Sequence, residues 1–133
     1  MKQFIIISIF ILSLFTSCKT QKQTTQNPQK ELKYAITYAI NLLENQNYEM
    51  FLSKFIEPDQ FGKTIEESKL KEFAEMFKIK KAEQLLNVLK SIKNSEPEYN
   101  TDNSEATFNV DKEIASKNKI IFKKLENLWY IAN

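Results

Sequence analysis

The sequence predicts an α+β domain, in which three to four N-terminal helices pack on a C-terminal antiparallel sheet of three or more strands. Apolar residues recur at helical spacing as far as Leu89, whereas the chain after Asn94 changes to the two-residue alternation of strands. Helices that are followed in sequence by a run of strands favour an architecture with the helices on one face of an antiparallel sheet.

The first two helices are predicted from capping residues and apolar periodicity. Asn27 is typical of an N-cap and Pro28 of a first helical position, which predicts a helix over about 28–46. Its apolar stripe follows the i, i+3, i+4 rule at Leu32, Ala35, Ile36, Ala39, Ile40 and Leu43. A second, short helix carries Tyr48, Phe51, Leu52 and Phe55 on one face, and Glu57-Pro58 ends it because the residue before proline disfavours the α region.

The third helix is predicted to follow a loop over 59–63 that contains Gly62. Thr64 and Glu67 match a capping box, in which Thr64 is the N-cap. The apolar stripe Leu70, Phe73, Ala74, Phe77 then restarts out of phase as Ala82, Leu85, Leu86, Leu89. This change of phase predicts a break near Lys78–Lys80, with a single bent helix as the alternative.

Three strands are predicted after the helices. In "SEATFNV" the apolar residues Ala106, Phe108 and Val110 alternate with polar ones, as in a half-buried strand. The segments "KIIFKKL" and "LWYIA" flank Glu126-Asn127, which we expect to form a two-residue hairpin turn. In that register Phe122 faces Ile131 and Lys124 faces Trp129, so that Ile120, Phe122, Trp129 and Ile131 share the core face of the sheet.

Composition excludes several kinds of chemistry. The chain has no histidine, one cysteine and one glycine, and all nineteen of its basic residues are lysines. A histidine-based triad, an imidazole or multi-cysteine metal site, an intramolecular disulfide and a glycine-rich phosphate loop are therefore absent. The seventeen acidic residues are interspersed with the lysines, and nucleic-acid binding normally needs a clustered basic surface. We expect no metal, no cofactor and no nucleic-acid partner.

The N-terminal segment is too short to span a bilayer. The apolar run Phe4–Phe15 follows a single lysine, and as a helix it would cover about 18 Å of the ~30 Å hydrocarbon core. An apolar run of this length after a short basic region is typical of a secretory signal peptide. We therefore expect residues 1–17 to be removed from the mature protein.

The residues that end this segment resemble the lipobox of bacterial lipoproteins. Phe15-Thr16-Ser17-Cys18 places small residues before the sole cysteine, although Phe15 stands where leucine is usual. The resemblance implies cleavage before Cys18, lipidation of its thiol and anchoring to a membrane of the bacterial cell envelope. Because no acidic cluster follows Cys18, we expect the protein to face the periplasm. The polar residues 18–27 then form a lipidated tether, and 28–133 a single domain.

The body resembles small lipoproteins with a nuclear transport factor 2-like fold. Asn47-Tyr48, Phe51-Leu52 and Pro58 match a polar-aromatic segment after the first helix, and Trp129-Tyr130-Ile131 matches a C-terminal strand. Asn127 replaces the usual glycine of the last turn. The resemblance implies a cone, in which a curved sheet wraps the helices around an apolar pocket. The superfamily includes ketosteroid-isomerase-like enzymes, dehydratases and members without known activity.

The candidate functional residues are aromatic residues that could bind a ligand or a partner, and none is predicted to be catalytic. The aromatic residues that could line an apolar pocket are Phe51, Phe55, Phe73, Phe77, Phe122 and Trp129, and ordinary burial preference favours the core for them. Tyr34 and Tyr38 lie beside the main stripe of the first helix, where they extend either a partner-binding surface or the amphipathic stripe. No catalytic residue is predicted, because the three aspartates and the pair Glu96/Glu98 fall in apparent turns and loops.

These observations predict a membrane-anchored envelope lipoprotein whose domain binds a small apolar ligand or an envelope protein without catalysing a reaction. One alternative is a small isomerase- or hydratase-type enzyme that uses the apolar pocket. Another is a structural accessory subunit of an envelope complex. The identity of the ligand, the choice of inner or outer membrane and the oligomeric state stay open at the level of sequence.

Overall fold

The computed structural model describes residues 26–60 and 65–132 and shows an α+β fold. A short 3-10 turn, Pro28–Lys30, precedes the helices, and a second one, Pro58–Gln60, follows the second helix. The four helices are α1 Leu32–Glu44, α2 Tyr48–Phe55, α3 Glu67–Lys80 and α4 Ala82–Ile92. The four strands are β1 Glu98–Tyr99, β2 Glu105–Asn109, β3 Lys119–Leu125 and β4 Leu128–Ala132. The predicted order of helices followed by antiparallel strands is confirmed.

The chain enters the domain through a 3-10 turn rather than through a continuous helix. The Oδ1 atom of Asn27 accepts from the Gln29 N–H at 3.0 Å, so Asn27 is a cap as predicted. Glu31 then adopts an extended conformation, with φ −117° and ψ 129°, and α1 begins only at Leu32. The prediction of one helix from residue 28 was wrong, because Gln29 turns inward and forms hydrogen bonds with the rest of the fold.

The break between α3 and α4 agrees with the prediction from the sequence, whereas the start of α3 differs from it. The chain breaks at Lys81, between α3 and α4, which confirms two helices rather than one bent helix. The predicted capping box was wrong, because α3 begins at Glu67 with Glu66 as its N-cap residue, and Glu66 makes no side-chain capping bond. Thr64 lies outside the described residues.

The sheet is an antiparallel meander in the order β1-β2-β3-β4. The predicted hairpin register is confirmed, since Leu125 pairs with Leu128, Lys124 with Trp129 and Phe122 with Ile131. Its two turn residues, Glu126 and Asn127, have φ of 48° and 64°. Two consecutive positive φ angles are the requirement of the type I′ turn, whose twist suits a hairpin.

Strand β1 is not among the predicted strands, and the sequence pattern places its first residue, Glu98, in a loop. Glu98 pairs with Thr107, and Tyr99 pairs with Ala106. A strand of two residues is too short to show alternation of apolar and polar side chains, and the residue directly before it is Pro97. The formation of β1 therefore depends on the edge that β2 offers to it.

The core lies between α1, α2, α4 and one face of the sheet. Phe51, Phe55 and Phe122 are fully buried, and Leu89 and Ile92 of α4 pack in the same cluster. The predicted core residues of the sheet, Ile120, Phe122, Trp129 and Ile131, are all buried, as are Ala106, Phe108 and Val110. Helix α3 contributes little to this core, because Ala74 is its one buried residue.

The outer edge of β4 is covered by N-terminal segments. The Gln29 side-chain amide donates to the Trp129 carbonyl at 3.2 Å, and Ile56 forms a parallel bridge with Ile131. A sheet edge with unpaired backbone groups is open to pairing with other chains, and such cover prevents it. The Gln29 bond also holds the 3-10 turn in place on the sheet.

Candidate functional site

A groove of about 500 Å³ lies between the entering chain and the outer face of α1. We call it the Tyr34 groove, and it is lined by Gln26, Asn27, Pro28, Glu31, Tyr34, Thr37, Tyr38 and Asn41. The last four residues comprise two i, i+4 pairs, Tyr34 with Tyr38 and Thr37 with Asn41, which places them on one side of α1. The two tyrosines are those that the sequence places beside the main stripe of the helix.

The two tyrosines of the groove differ in how firmly they are held. Tyr38 is half-buried, and its ring lies 5.8 Å from that of Phe55 at an angle of 54°. Tyr34 is 58% exposed. Tyr38 therefore forms a fixed wall of the groove, whereas Tyr34 presents a ring to solvent that a bound molecule can cover.

The polar residues of the groove are partly fixed by bonds within the protein. The Thr37 hydroxyl donates to the Lys33 carbonyl at 3.1 Å, and Asn41 Oδ1 accepts from Asn45 Nδ2 at 3.1 Å. Among the described residues, the Nδ2 groups of Asn27 and Asn41 and the carboxylate of Glu31 have no partner. The groove thus offers two amide donors, one anionic acceptor and an exposed aromatic ring.

This set of amide donors, one carboxylate and an exposed aromatic ring suits ligand binding better than catalysis. Tyrosine supplies a large contact area with few rotatable bonds, and asparagine supplies adaptable hydrogen bonds, which is why both are frequent in binding surfaces. Of the eight lining residues only Glu31 carries a charge. The groove fits an uncharged ligand or a protein segment that has hydrogen-bonding groups and one face able to stack on Tyr34.

The six aromatic residues that the sequence proposes for a pocket lie in three different places. Phe51 stacks between Phe55 and Phe77, at centroid distances of 5.5 and 5.4 Å. Phe122 packs edge-on against Phe108 on the sheet at 5.9 Å, and Trp129 is 4% exposed on the neighbouring strand. Phe73 lies on the outside of α3 and is 41% exposed. None of the six lines the Tyr34 groove.

The three aspartates occupy turns, as the sequence indicates. Asp59 lies in the second 3-10 turn, and Asp111 accepts from the Glu113 N–H at 3.1 Å. Asp102 accepts from both the hydroxyl and the N–H of Ser104, and the hydroxyl bond above all holds its pKa below the ordinary value. No group of three or more acidic, histidine or cysteine residues that could hold a metal occurs within residues 26–60 and 65–132.

The predicted anchor falls outside the part that the structure describes. Cys18, the signal segment 1–17 and most of the tether lie before residue 26. Among the described helices, none is long and apolar enough to cross a membrane.

No family model, curated protein or solved structure matches this chain. The likeness to lipoproteins and to nuclear transport factor 2-like domains therefore stays a prediction from the motifs quoted above.

One wall of the Tyr34 groove can be predicted from the sequence, and the other cannot. The helical spacing of Tyr34 and Tyr38 indicated a surface beside the main stripe of α1. The opposite wall, Gln26 to Pro28, was predicted to be tether and helix start, and only the inward turn of Gln29 places it across from the tyrosines. No local signal marks Gln29 as a residue that the fold buries.

Proposed function

We propose that this protein is a membrane-anchored envelope lipoprotein whose α+β domain binds a ligand or a protein partner at the Tyr34 groove and does not catalyse a reaction. The observation that carries the proposal is the groove itself, with an exposed and a buttressed tyrosine on the α1 wall and amide groups on both walls that have no partner among the described residues. The anchor is proposed from the lipobox-like residues that end in Cys18.

The position of the groove in the chain supports this assignment. Gln26 lines the groove and lies eight residues after Cys18. Eight extended residues reach at most about 28 Å. A lipid on Cys18 would therefore keep the groove within that distance of the membrane surface, where an envelope partner meets it at high effective concentration.

The anchor is tested by metabolic labelling with a fatty acid in a bacterial host that expresses the full chain. We expect the wild-type protein to carry the label and to fractionate with membranes, because several acyl chains anchor firmly. The Cys18→Ala variant should lose both properties. Retention of the label by Cys18→Ala would show that the anchor is assigned to the wrong residue.

The binding site is tested by native mass spectrometry on the full chain purified from its own cells. A ligand or subunit that copurifies with the wild type should be lost from Tyr34→Ala. The matched control is Tyr99→Ala, since Tyr99 is also half exposed, at 50%, but lies on β1 and outside the groove. Equal loss from both variants, or retention by both, would place the binding surface elsewhere.

A further inference from the structure

The exposed face of α3 carries a symmetric pattern of residues around Met76. Met76 is 41% exposed, and its neighbours at i±3 are the apolar residues Phe73 and Ile79, which are 41% and 78% exposed. Its neighbours at i±4 are oppositely charged, with Glu72 before it and Lys80 after it. Because residues three and four apart adjoin one another on a helix surface, these residues form one continuous patch. We call it the Met76 patch.

The Met76 patch is exposed, whereas a different side of α3 packs on the domain. Phe77 marks the packed side, because its ring stacks on Phe51 at 5.4 Å and contacts Tyr48 edge-on at 5.9 Å. Ala74 is the one buried residue of α3, and both charged residues of the patch are exposed. The patch is therefore an apolar surface with one charge on each side of it along the helix.

The charges of the patch are balanced, and they have the opposite sign at equal distances from Met76. Three ion pairs join described residues, and none of them includes Glu72 or Lys80. Farther out, Lys69 lies seven positions before Met76, and Glu83, just after the break between α3 and α4, lies seven positions after it. A patch with this balance has no net attraction to a charged surface, but it is complementary to its own reversed copy.

We propose that the Met76 patch binds the same patch on a second copy of this chain, with the two α3 helices antiparallel about a two-fold axis at Met76. In that arrangement, residues at equal distances on opposite sides of Met76 lie at the same level. Phe73 then packs against Ile79 of the partner copy, and Glu72 faces Lys80 of the partner copy. Each contact occurs twice, because a two-fold interface is isologous. Methionine and aromatic residues at the centre with charges at the rim are typical of protein interfaces.

The charge pattern favours this occupant and this orientation. In a parallel pair each residue faces its own copy, so that Glu72 faces glutamate and Lys80 faces lysine, and such like-charge contacts are unfavourable. The antiparallel pair turns the same four charges into two oppositely charged pairs. An unrelated partner would need the reversed pattern, which a second copy supplies by symmetry. One helix face buries less area than a standard interface of about 1,600 Å², so we expect a dimer that dissociates on dilution.

Disulfide formation at residue 76 tests the position of the two-fold axis. Packed helices lie about 8–10 Å apart, and their Cα atoms lie about 2.3 Å from each axis. Two copies of residue 76 on the two-fold axis therefore come within the Cα separation of about 4–7 Å that a disulfide needs. The full chain is purified in detergent with Cys18→Ala, which leaves the added cysteine as the only thiol. We expect Met76→Cys to form a covalent dimer on mild oxidation, with a yield that rises with protein concentration.

The matched control for this disulfide is Lys69→Cys, at an exposed position of the same helix. The antiparallel pair separates two copies of residue 69 by about 21 Å along the helices, at 1.5 Å per residue, so we expect no covalent dimer. A parallel pair would bring residues 69 and 76 each against its own copy, because they are one heptad apart. Equal yields from the two variants, or no dimer of Met76→Cys at any concentration, would overturn the proposal.

Charge reversal tests the pairing of the two helices, with the Met76→Cys dimer as the readout. Glu72→Lys and Lys80→Glu should each lower the yield roughly tenfold or more, because each change places like charges against one another twice. An equal mixture of the two variants, made with tags of different mass, should restore the yield as dimers that contain one chain of each kind. In these mixed dimers every reversed charge faces its opposite. Both positions are exposed, so both variants should fold, and circular dichroism verifies this.

The control for charge reversal is the pair of variants Lys33→Glu and Glu126→Lys. They make the same changes of charge at exposed positions outside α3, and each should leave the yield unchanged. A loss in these controls equal to that of the α3 variants, or a mixture that fails to restore the dimer, would contradict the proposed pairing. Because the measurement uses a chain without Cys18, its outcome is independent of the proposed anchor and of the Tyr34 groove.

Discussion

The side-chain amide of Gln29 donates to the carbonyl of Trp129 at 3.2 Å across one hundred positions of sequence. The same amide donates to the Lys54 carbonyl at 2.5 Å, and the side chain is 2% exposed. Gln29 thus joins the entering chain, the end of α2 and the outer edge of β4. It is the one buried polar residue among the described residues.

Gln29→Met should destabilise the domain by about 2–3 kcal/mol. Methionine fills a similar volume but has no donor, so the buried Trp129 carbonyl and the partly buried Lys54 carbonyl both lose this partner. The loss costs about 1–3 kcal/mol at a buried group and less where solvent can replace the donor. Urea denaturation followed by circular dichroism measures the change. The control is Gln84→Met on the exposed face of α4, which should stay within about 0.5 kcal/mol of the wild type. Equal stability of the two variants would show that the Gln29 bonds contribute little.

Replacement of Glu126-Asn127 by Asn-Gly should stabilise the domain by about 0.5–1 kcal/mol. Both native residues have positive φ, 48° and 64°, and asparagine and glycine adopt these angles more readily than glutamate and asparagine do. Thermal unfolding should show a raised Tm. The opposite effect, a lower Tm, is expected for Asn127→Val, because a β-branched residue is strained at this φ. A lower Tm for Asn-Gly would contradict the type I′ assignment.

The two tyrosines of the Tyr34 groove should respond differently to truncation. Tyr34→Ala should change the free energy of unfolding by less than about 0.5 kcal/mol, since the side chain is 58% exposed. Tyr38→Ala should cost about 1–2 kcal/mol, because its ring packs at 5.8 Å from that of Phe55. Chemical denaturation of both variants measures the difference. A large stability loss in Tyr34→Ala would mean that this ring supports the fold and is not free for a ligand.

The Asp102 carboxyl should titrate below its ordinary pKa of 3.8, and Ser104→Ala should return the pKa toward that value. The Ser104 hydroxyl and N–H both donate to the ionised carboxylate and favour it. Because the folded-state pKa is lowered, the turn is stabilised at neutral pH and loses this contribution as the pH falls through the folded pKa. NMR titration of the carboxyl carbon measures both values, and an unchanged pKa in Ser104→Ala would contradict the assigned cause.

The parts of the fold that could be predicted from sequence are those with strong local signals. The hairpin register follows from alternation on both sides of two turn residues, and α2 follows from four apolar residues before Pro58. The two tyrosines beside the apolar stripe of α1 could be located for the same reason, because helical spacing alone places them there. Periodicity and turn chemistry act within a few residues, so they are readable without the rest of the chain.

The exposed surfaces of the helices could not be predicted from local sequence patterns alone. Phe73 and Phe77 both belong to the apolar stripe of α3, yet Phe77 stacks on Phe51 whereas Phe73 is 41% exposed. Ile79 of the same helix is 78% exposed. No repeat in the sequence distinguishes the residues of one stripe that become buried from those that stay exposed.

By itself, the sequence determined the α+β class, the order of the elements, the core face of the hairpin and the kinds of chemistry that the chain lacks. Tertiary structure alone decided the 3-10 entry at Pro28–Lys30, the pairing of β1 with β2 and the burial of Gln29. The physical reason is the range of the interactions. Propensity and alternation act between near neighbours, whereas a buried amide, a two-residue edge strand and the wall of a groove form only when distant segments meet.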